Sequence, residues 1–291
     1  MDTRKYGGWD MKKYTLGLYE KSMPSELSWK EKLTEAKKAG FDFVEISIDE
    51  TEAKLARLDM TQEEREQLVH TMYEVGLPIR TMCLSGHRKY PLGSSDPATC
   101  QRGMEIMEKA IRLAEDLGIR IIQLAGYDVY YEESDADTVA RFEENLKKAV
   151  KMAAASGIVL GFETMETEFM NTVEKSMKYV NIVDSCYLNV YPDLGNITNA
   201  AVTYGTKVTD DLETGRGHLC AMHLKETVPG KFREIPFGTG HVNFEEGIEK
   251  AWELGVRRFV TEFWYTGNEL WREDLVFANR KMTAILNEQE A

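Results

Sequence analysis

The chain has 291 residues, a length within reach of one large domain, since a single core can serve about 250 residues. Its 43% hydrophobic and 29% charged content is that of a soluble globular protein, and no apolar run approaches the ~20 residues that a membrane-spanning helix needs. A net charge of −13, from 36 Lys and Arg against 49 Asp and Glu, repels phosphate backbones and argues against a nucleic-acid partner.

Met1 to Lys13 lacks the apolar stretch and small-residue cleavage site of a secretory signal, so residues 1–13 are expected to form a short extension of a cytoplasmic protein whose domain runs from 14 to 291. A first apolar strand follows at Tyr14 to Leu18. From there one unit recurs: a helix closes at glycine, and an apolar strand follows within a residue or two. The junctions are Gly40, Gly76, Gly118, Gly157, Gly217 and Gly255; the first four lie 36, 42 and 39 residues apart and the last two 38, the length of a βα unit. Ser28 to Glu31 and Thr61 to Glu64 fit the capping box, in which hydroxyl and carboxylate satisfy each other's orphan amides. Asp96-Pro97 opens another helix, with Met104, Met107, Ile111 and Ala114 on one face, and Phe142, Leu146, Ala149 and Ala153 stripe the next. With Tyr187 to Tyr191 added, eight strands alternate with helices. Near-continuous apolar strands imply a sheet covered on both faces, and no Gly-x-Gly-x-x-Gly follows the first strand. The fold expected is therefore α/β, a single (β/α)8 TIM barrel rather than an open doubly wound sheet.

Every strand of a parallel barrel opens its C-terminal end on one face, where catalytic groups collect. Four consecutive strand candidates end there in a possible ligand: Glu163 after Ile158 to Phe162, Asp193 after Tyr187 to Pro192, His223 after Leu219 to Met222, and Glu262 after Phe259 to Thr261. Taken singly, each has an ordinary structural explanation: a solvated or paired glutamate, a turn aspartate, a hydrogen-bonded core histidine. Together, three carboxylates and one imidazole make an oxygen-rich set for one divalent metal ion, Mn2+, Mg2+, Co2+ or Zn2+. Strands five and eight lie three steps apart on a ring of eight, roughly 135°, so Glu163 and Glu262 are placed to approach a substrate from different sides.

The same face is expected to carry Glu20 and Lys21 after the first strand, His87 and Arg88 after the third, Tyr127 and Tyr130 after the fourth, and Trp264 after the eighth. Packing on a neighbouring helix or subunit is the alternative for Tyr130 and Tyr131. Pro236 to Gly240 is glycine-rich, but without a Gly-Lys-Ser/Thr ending it reads as a shaped loop rather than a phosphate cradle. Cys83, Cys100, Cys186 and Cys220 form no Cys-x-x-Cys pair and are expected to be buried reduced thiols.

At Leu16 to Lys21, Gly40 to Ser47, Met82 to Ser85 running into His87-Arg88, Ile122 to Tyr131, Tyr191 to Asn196 and Pro236 to Gly240, the chain resembles the xylose-isomerase-like barrel superfamily and, more closely, the L-ribulose-5-phosphate 3-epimerases. The likeness runs from about Tyr14 to the C-terminal helix. It implies that Glu163, Asp193, His223 and Glu262 hold the metal and that Glu163 and Glu262 also transfer the proton. The implied substrates are ketopentose phosphates, L-xylulose 5-phosphate and L-ribulose 5-phosphate, interconverted at C3 by a homodimer in L-ascorbate utilisation. His87, Arg88, Tyr127, Asn196, Lys225 and Trp264 are the expected substrate-binding residues, with Lys21, Lys231 and Arg233 as further cations for the phosphate. The wider ketose 3-epimerase group carries a histidine three residues after the metal aspartate and an arginine six after the metal histidine. Here those positions are Asn196 and Pro229, a departure that puts an unphosphorylated ketose in doubt and is compatible with a phosphorylated one. The alternatives are an aldose–ketose isomerase on the same barrel and a non-catalytic sugar-phosphate binding protein. An apurinic endonuclease of the superfamily needs more histidines than the five present.

Overall fold

All six junction glycines adopt left-handed backbone, with φ between 64° and 94°, and a strand begins within five residues of each. The protein is described here by a computed structural model of residues 12–290. Its strands are β1 (Thr15–Tyr19), β2 (Phe43–Ile48), β3 (Ile79–Leu84), β4 (Ile121–Ala125), β5 (Val159–Glu163), β6 (Leu188–Val190), β7 (Met222–Lys225) and β8 (Arg258–Glu262). One helix follows most strands: α1 (Trp29–Lys38) after β1, α4 (Pro97–Leu117) after β3, α5 (Ala136–Ala155) after β4, α6 (Val173–Val183) after β5, α9 (Phe244–Glu253) after β7 and α10 (Trp271–Glu288) after β8. Two follow β2, the short α2 (Glu52–Leu55) and α3 (Gln62–Val75), and two follow β6, α7 (Leu194–Tyr204) and α8 (Val208–Thr214).

The strands pair in parallel in the order β6-β5-β4-β3-β2-β1-β8-β7. The ring closes between β6 and β7 through two parallel bridges, Val190 with Leu219 and Asp193 with His223. This seam is where the strand limits differ from expectation. β6 stops at Val190, ahead of Pro192, which has no amide to continue a ladder. β7 starts at Met222, because Leu219 touches its neighbour through a single bridge. His223 therefore lies inside a strand, not after one.

Local signals hold closely. Ser28 and Thr61 close full capping boxes with Glu31 and Glu64, and Asp96 caps α4 with Pro97 at its first position. Phe142, Leu146, Ala149 and Ala153 bury the inner face of α5, where Phe142 meets Phe162 of β5 at 6.2 Å between ring centroids. Between strands and helices lies the main apolar layer; a smaller one fills the barrel with Tyr19, Phe43, Cys83, Ile121, Tyr191, Ala221 and Val260. Gly17 makes room for it, since a Cβ there would stand 2.4 Å from the Phe43 ring. The interior is not wholly apolar as the strand pattern implied: Glu45 of β2 and Gln123 of β4 are fully buried in it.

The expected extension lies outside the described residues except for Lys12 and Lys13. All four cysteines are free, but only Cys83 is buried; Cys100 and Cys220 are half-buried and Cys186 is exposed, which corrects the expectation that all are buried. No described helix is long and apolar enough to cross a membrane.

Candidate active site

β5, β7 and β8 carry Glu163, His223 and Glu262 to the barrel mouth, and Asp193 stands between β6 and α7. One donor atom from each of these four buried residues lies within 4.8 Å of the other three. In three of them a second atom is tied to the scaffold, which aims the free one. Gln123 donates to Glu163 Oε2, leaving Oε1 3.7 Å from His223 Nδ1. Asp193 Oδ1 caps α7 by accepting the Asn196 amide at 2.6 Å, which leaves Oδ2. His223 Nε2 lies 2.7 Å from Glu45 Oε1, and Glu45 Oε2 accepts from the Tyr191 hydroxyl at 3.1 Å. A carboxylate only accepts, so Nε2 carries a proton, which leaves Nδ1 as the ring atom that faces the cluster.

Asp193 Oδ2, His223 Nδ1 and Glu262 Oε2 are buried and make no well-directed hydrogen bond among the described residues, although Lys225 Nζ stands 3.2 Å from Oδ2. Nδ1 and Glu262 Oε2 are 2.7 Å apart, a separation that calls for positive charge between them, a proton on Nδ1 or a metal cation in its place. Three carboxylate oxygens and one imidazole nitrogen, all within 4.8 Å of one another, are a donor set that suits a divalent ion.

The electrostatics point the same way. Burial, then the Glu262 charge, raises the Glu163 carboxyl above its ordinary range. Burial raises Asp193 to about 8 against the pull of Lys225, whose Nζ lies 3.2 Å from Oδ2. Burial works on Glu262 too, but Lys225 and His223 outweigh it and hold that carboxyl well below the ordinary range. Against its own burial, His223 is raised by Glu45 and then Glu262. The carboxylates thus draw positive charge to Nδ1, the place a divalent ion would fill.

Glu163 and Glu262 line one cavity together with Arg88, Asn196, Lys225 and Trp264 of the expected substrate-binding set. Tyr127 stands behind Arg88, its hydroxyl 3.3 Å from Nη2. His87 does not line the cavity: its ring is buried against α4, Nε2 lies 3.1 Å from the Gly103 carbonyl oxygen, and burial lowers it to about 4. Neighbours on the short turn Gly86–Arg88 point to different sides, and Arg88 takes the inner one. Among the expected phosphate cations, Lys225 is committed to the carboxylates, Lys231 is exposed outside the cavity, and Lys21 lines it but pairs with Asp49 at 2.5 Å. Glu20 turns away into a buried ion cluster with Lys32, Lys54 and Arg57. The Pro236–Gly240 loop is a shaped one: the buried Glu226 accepts the amides of Gly238 at 3.0 Å and Val242 at 3.2 Å.

Sequence reasoning missed Glu45, Gln123, Tyr191 and Glu166. Glu45 and Gln123 show one signal, a polar residue within an otherwise apolar strand. Their partners lie 178 and 40 residues away: His223 reaches Glu45 across the barrel interior, and Glu163 meets Gln123 on the neighbouring strand β5.

An L-ribulose-5-phosphate 3-epimerase of Escherichia coli is 44% identical over 254 residues, covering 87% of this chain and 88% of the relative. The enzyme of the same name from Salmonella enteritidis matches at 44% over 254 residues, with the same shares of 87% and 88%. Among solved structures, D-psicose 3-epimerase with D-tagatose from Clostridium cellulolyticum superposes with a TM-score of 0.78 at 17% identity, covering 94% of this chain and 99% of that one. That likeness carries the fold alone. The family described as xylose isomerase-like TIM barrel matches residues 33–281, and the chain belongs to it.

Proposed function

We propose that this enzyme is a metal-dependent 3-epimerase interconverting L-xylulose 5-phosphate and L-ribulose 5-phosphate. The observation that carries the reading is the convergence of two buried glutamates on one cavity within a four-donor cluster. The names of the relatives supply the substrate. Residues 14–291 would form the catalytic domain of a cytoplasmic homodimer.

A proton α to a ketone is too weakly acidic for an unaided carboxylate at neutral pH. Glu163, Asp193, His223 and Glu262 would hold a divalent ion, which when bound supplies Lewis-acid stabilisation of the negative charge developing on the ketose oxygens. Glu262, kept ionised by Lys225 and His223, takes the C3 proton from one face. Glu163 returns a proton on the other face, and the reverse reaction exchanges the two roles. Lys225 adds a positive charge beside Asp193. Asn196 donates to the Thr164 carbonyl oxygen at 2.7 Å, so its Oδ1, buried without a partner among the described residues, is left to accept a substrate hydroxyl. Trp264, edge-on to Tyr19 at 6.1 Å, walls the cavity against water.

The test is product identity. Incubation with L-xylulose 5-phosphate should give L-ribulose 5-phosphate with a divalent metal and nothing with EDTA. An aldose product would move the assignment to isomerase, and no conversion with any divalent metal would contradict the reading.

A further inference from the structure

The chain from Glu226 to Asn243, between β7 and α9, contains no helix and no strand beyond one antiparallel bridge of Val228 with Lys231, yet it supplies Phe232 and Arg233 to the cavity wall. A loop of this length keeps a single shape only where something fixes it. Glu234, directly after the two lining residues, has left-handed backbone with φ 59°, a conformation that a non-glycine residue keeps only when its surroundings impose it.

The anchor at the base is the buried Glu226. Its Oε2 accepts the Gly238 amide at 3.0 Å, and its Oε1 accepts the amides of Val242 at 3.2 Å and Thr227 at 3.3 Å. Both ends of the loop thus meet on one carboxylate, and beside it the His241 amide donates to the Thr227 carbonyl oxygen at 3.0 Å. Gly240 allows this approach, since a Cβ there would collide with that carbonyl oxygen and with Oε1. At the tip, Asn199 of α7 accepts the Gly230 amide at 3.1 Å and donates to the Lys231 carbonyl oxygen at 3.4 Å. α7 is the helix that Asp193 caps, so the loop tip and the four-donor cluster share one support. Arg233 then meets Glu166, which follows β5, at 2.9 Å. Neither Glu226 nor Asn199 lines the cavity.

We propose that Glu226 is a positioning residue for the reaction: it ties the loop of residues 227–242 shut at its base, so that Phe232 and Arg233 stand as one wall of the cavity. The inference rests on the epimerase reading of the site. The position calls for a carboxylate, which accepts at both oxygens, whereas glutamine would turn an NH2 group against one of the amides. A loop released from its base leaves the cavity open on that side and admits water to the proton-transfer groups.

Two measurements test it. Trypsin cuts after lysine and arginine, and Lys231 and Arg233 both lie within the loop, so limited digestion of the native full chain reports how often the loop opens. Glu226→Gln and Gly240→Ala should each speed cleavage at those two bonds by about tenfold, the weight of one charge-assisted hydrogen bond. Cleavage at the wild-type rate in either variant would overturn the proposal. In turnover, Glu226→Gln should lower kcat/KM for L-xylulose 5-phosphate by about tenfold, but by no more than about threefold in a background carrying Phe232→Ala and Arg233→Ala, where the wall is already gone. Divalent-metal affinity, measured by titration, should stay within about threefold of wild type. Equal losses in the two backgrounds, or metal affinity weakened by about tenfold, would show Glu226 acting on the barrel at large or through Lys225 on Asp193, and would overturn the proposal. Faster cleavage in both variants of a protein that epimerises no ketose phosphate would refute the epimerase reading and leave the loop anchor standing. Epimerisation by the wild type with cleavage unchanged in both variants would do the reverse.

Discussion

Glu45 never reaches the cavity, yet it decides what His223 can do there. By accepting from Nε2 at 2.7 Å it leaves Nδ1 as the free donor, and the Tyr191 hydroxyl keeps Glu45 in place. Outer carboxylates of this kind set the basicity and orientation of a metal histidine. Glu45→Gln should therefore weaken divalent-metal affinity by about 10–100-fold in a metal titration, and wild-type affinity would contradict that role. Glu163→Gln or Glu262→Gln should lower kcat by about 10²–10⁴-fold while leaving the circular-dichroism spectrum unchanged. Wild-type turnover in either variant would sink the mechanism. The four ligand candidates were legible because each stands at or near a strand end on one face. Glu45 and Gln123 were not, since their meaning depends on which strands the barrel brings beside or opposite them. His87 was misplaced because a turn of three residues hides which of two neighbours faces inward.

At the scale of elements, the barrel mouth is braced by Glu20, fully buried beyond β1 and answered by Lys32 and Lys54 at 3.0 and 2.8 Å and by Arg57. Burial pushes this carboxyl up, but Arg57, then Lys54 and Lys32, outweigh it and hold it at about 2. The folded value is depressed, so the stabilisation is complete above the ordinary glutamate value of 4.5 and is lost as pH falls from there towards 2. Glu20→Gln leaves three cations facing a neutral group and should cost about 3–5 kcal/mol in denaturant melts at neutral pH. It should also flatten stability between pH 4.5 and 2; an unchanged acid profile would contradict the assignment. The αβ junctions, the capping boxes and the α5 stripe were legible because each is encoded within a few residues. The limits of β6 and β7 were not, because closure of the ring fixes them through two bridges between distant segments.

For the whole molecule, the barrel serves as a rigid ring that forces buried like charges together at one end. Three carboxylates at that end stay compatible with folding only with positive charge among them, and Lys225 supplies one. A divalent ion bound to the folded state alone should add about 2.7 kcal/mol at a free concentration 100-fold above Kd, so EDTA should lower Tm by several degrees. An unchanged Tm would argue against a resident ion. The account stands most directly on proton exchange at C3. With metal-loaded protein and L-xylulose 5-phosphate in D2O, proton NMR should show deuterium entering C3 alone as L-ribulose 5-phosphate appears, both suppressed by EDTA. Deuterium at C1 with an aldose product, or epimerisation without solvent exchange at C3, would contradict it.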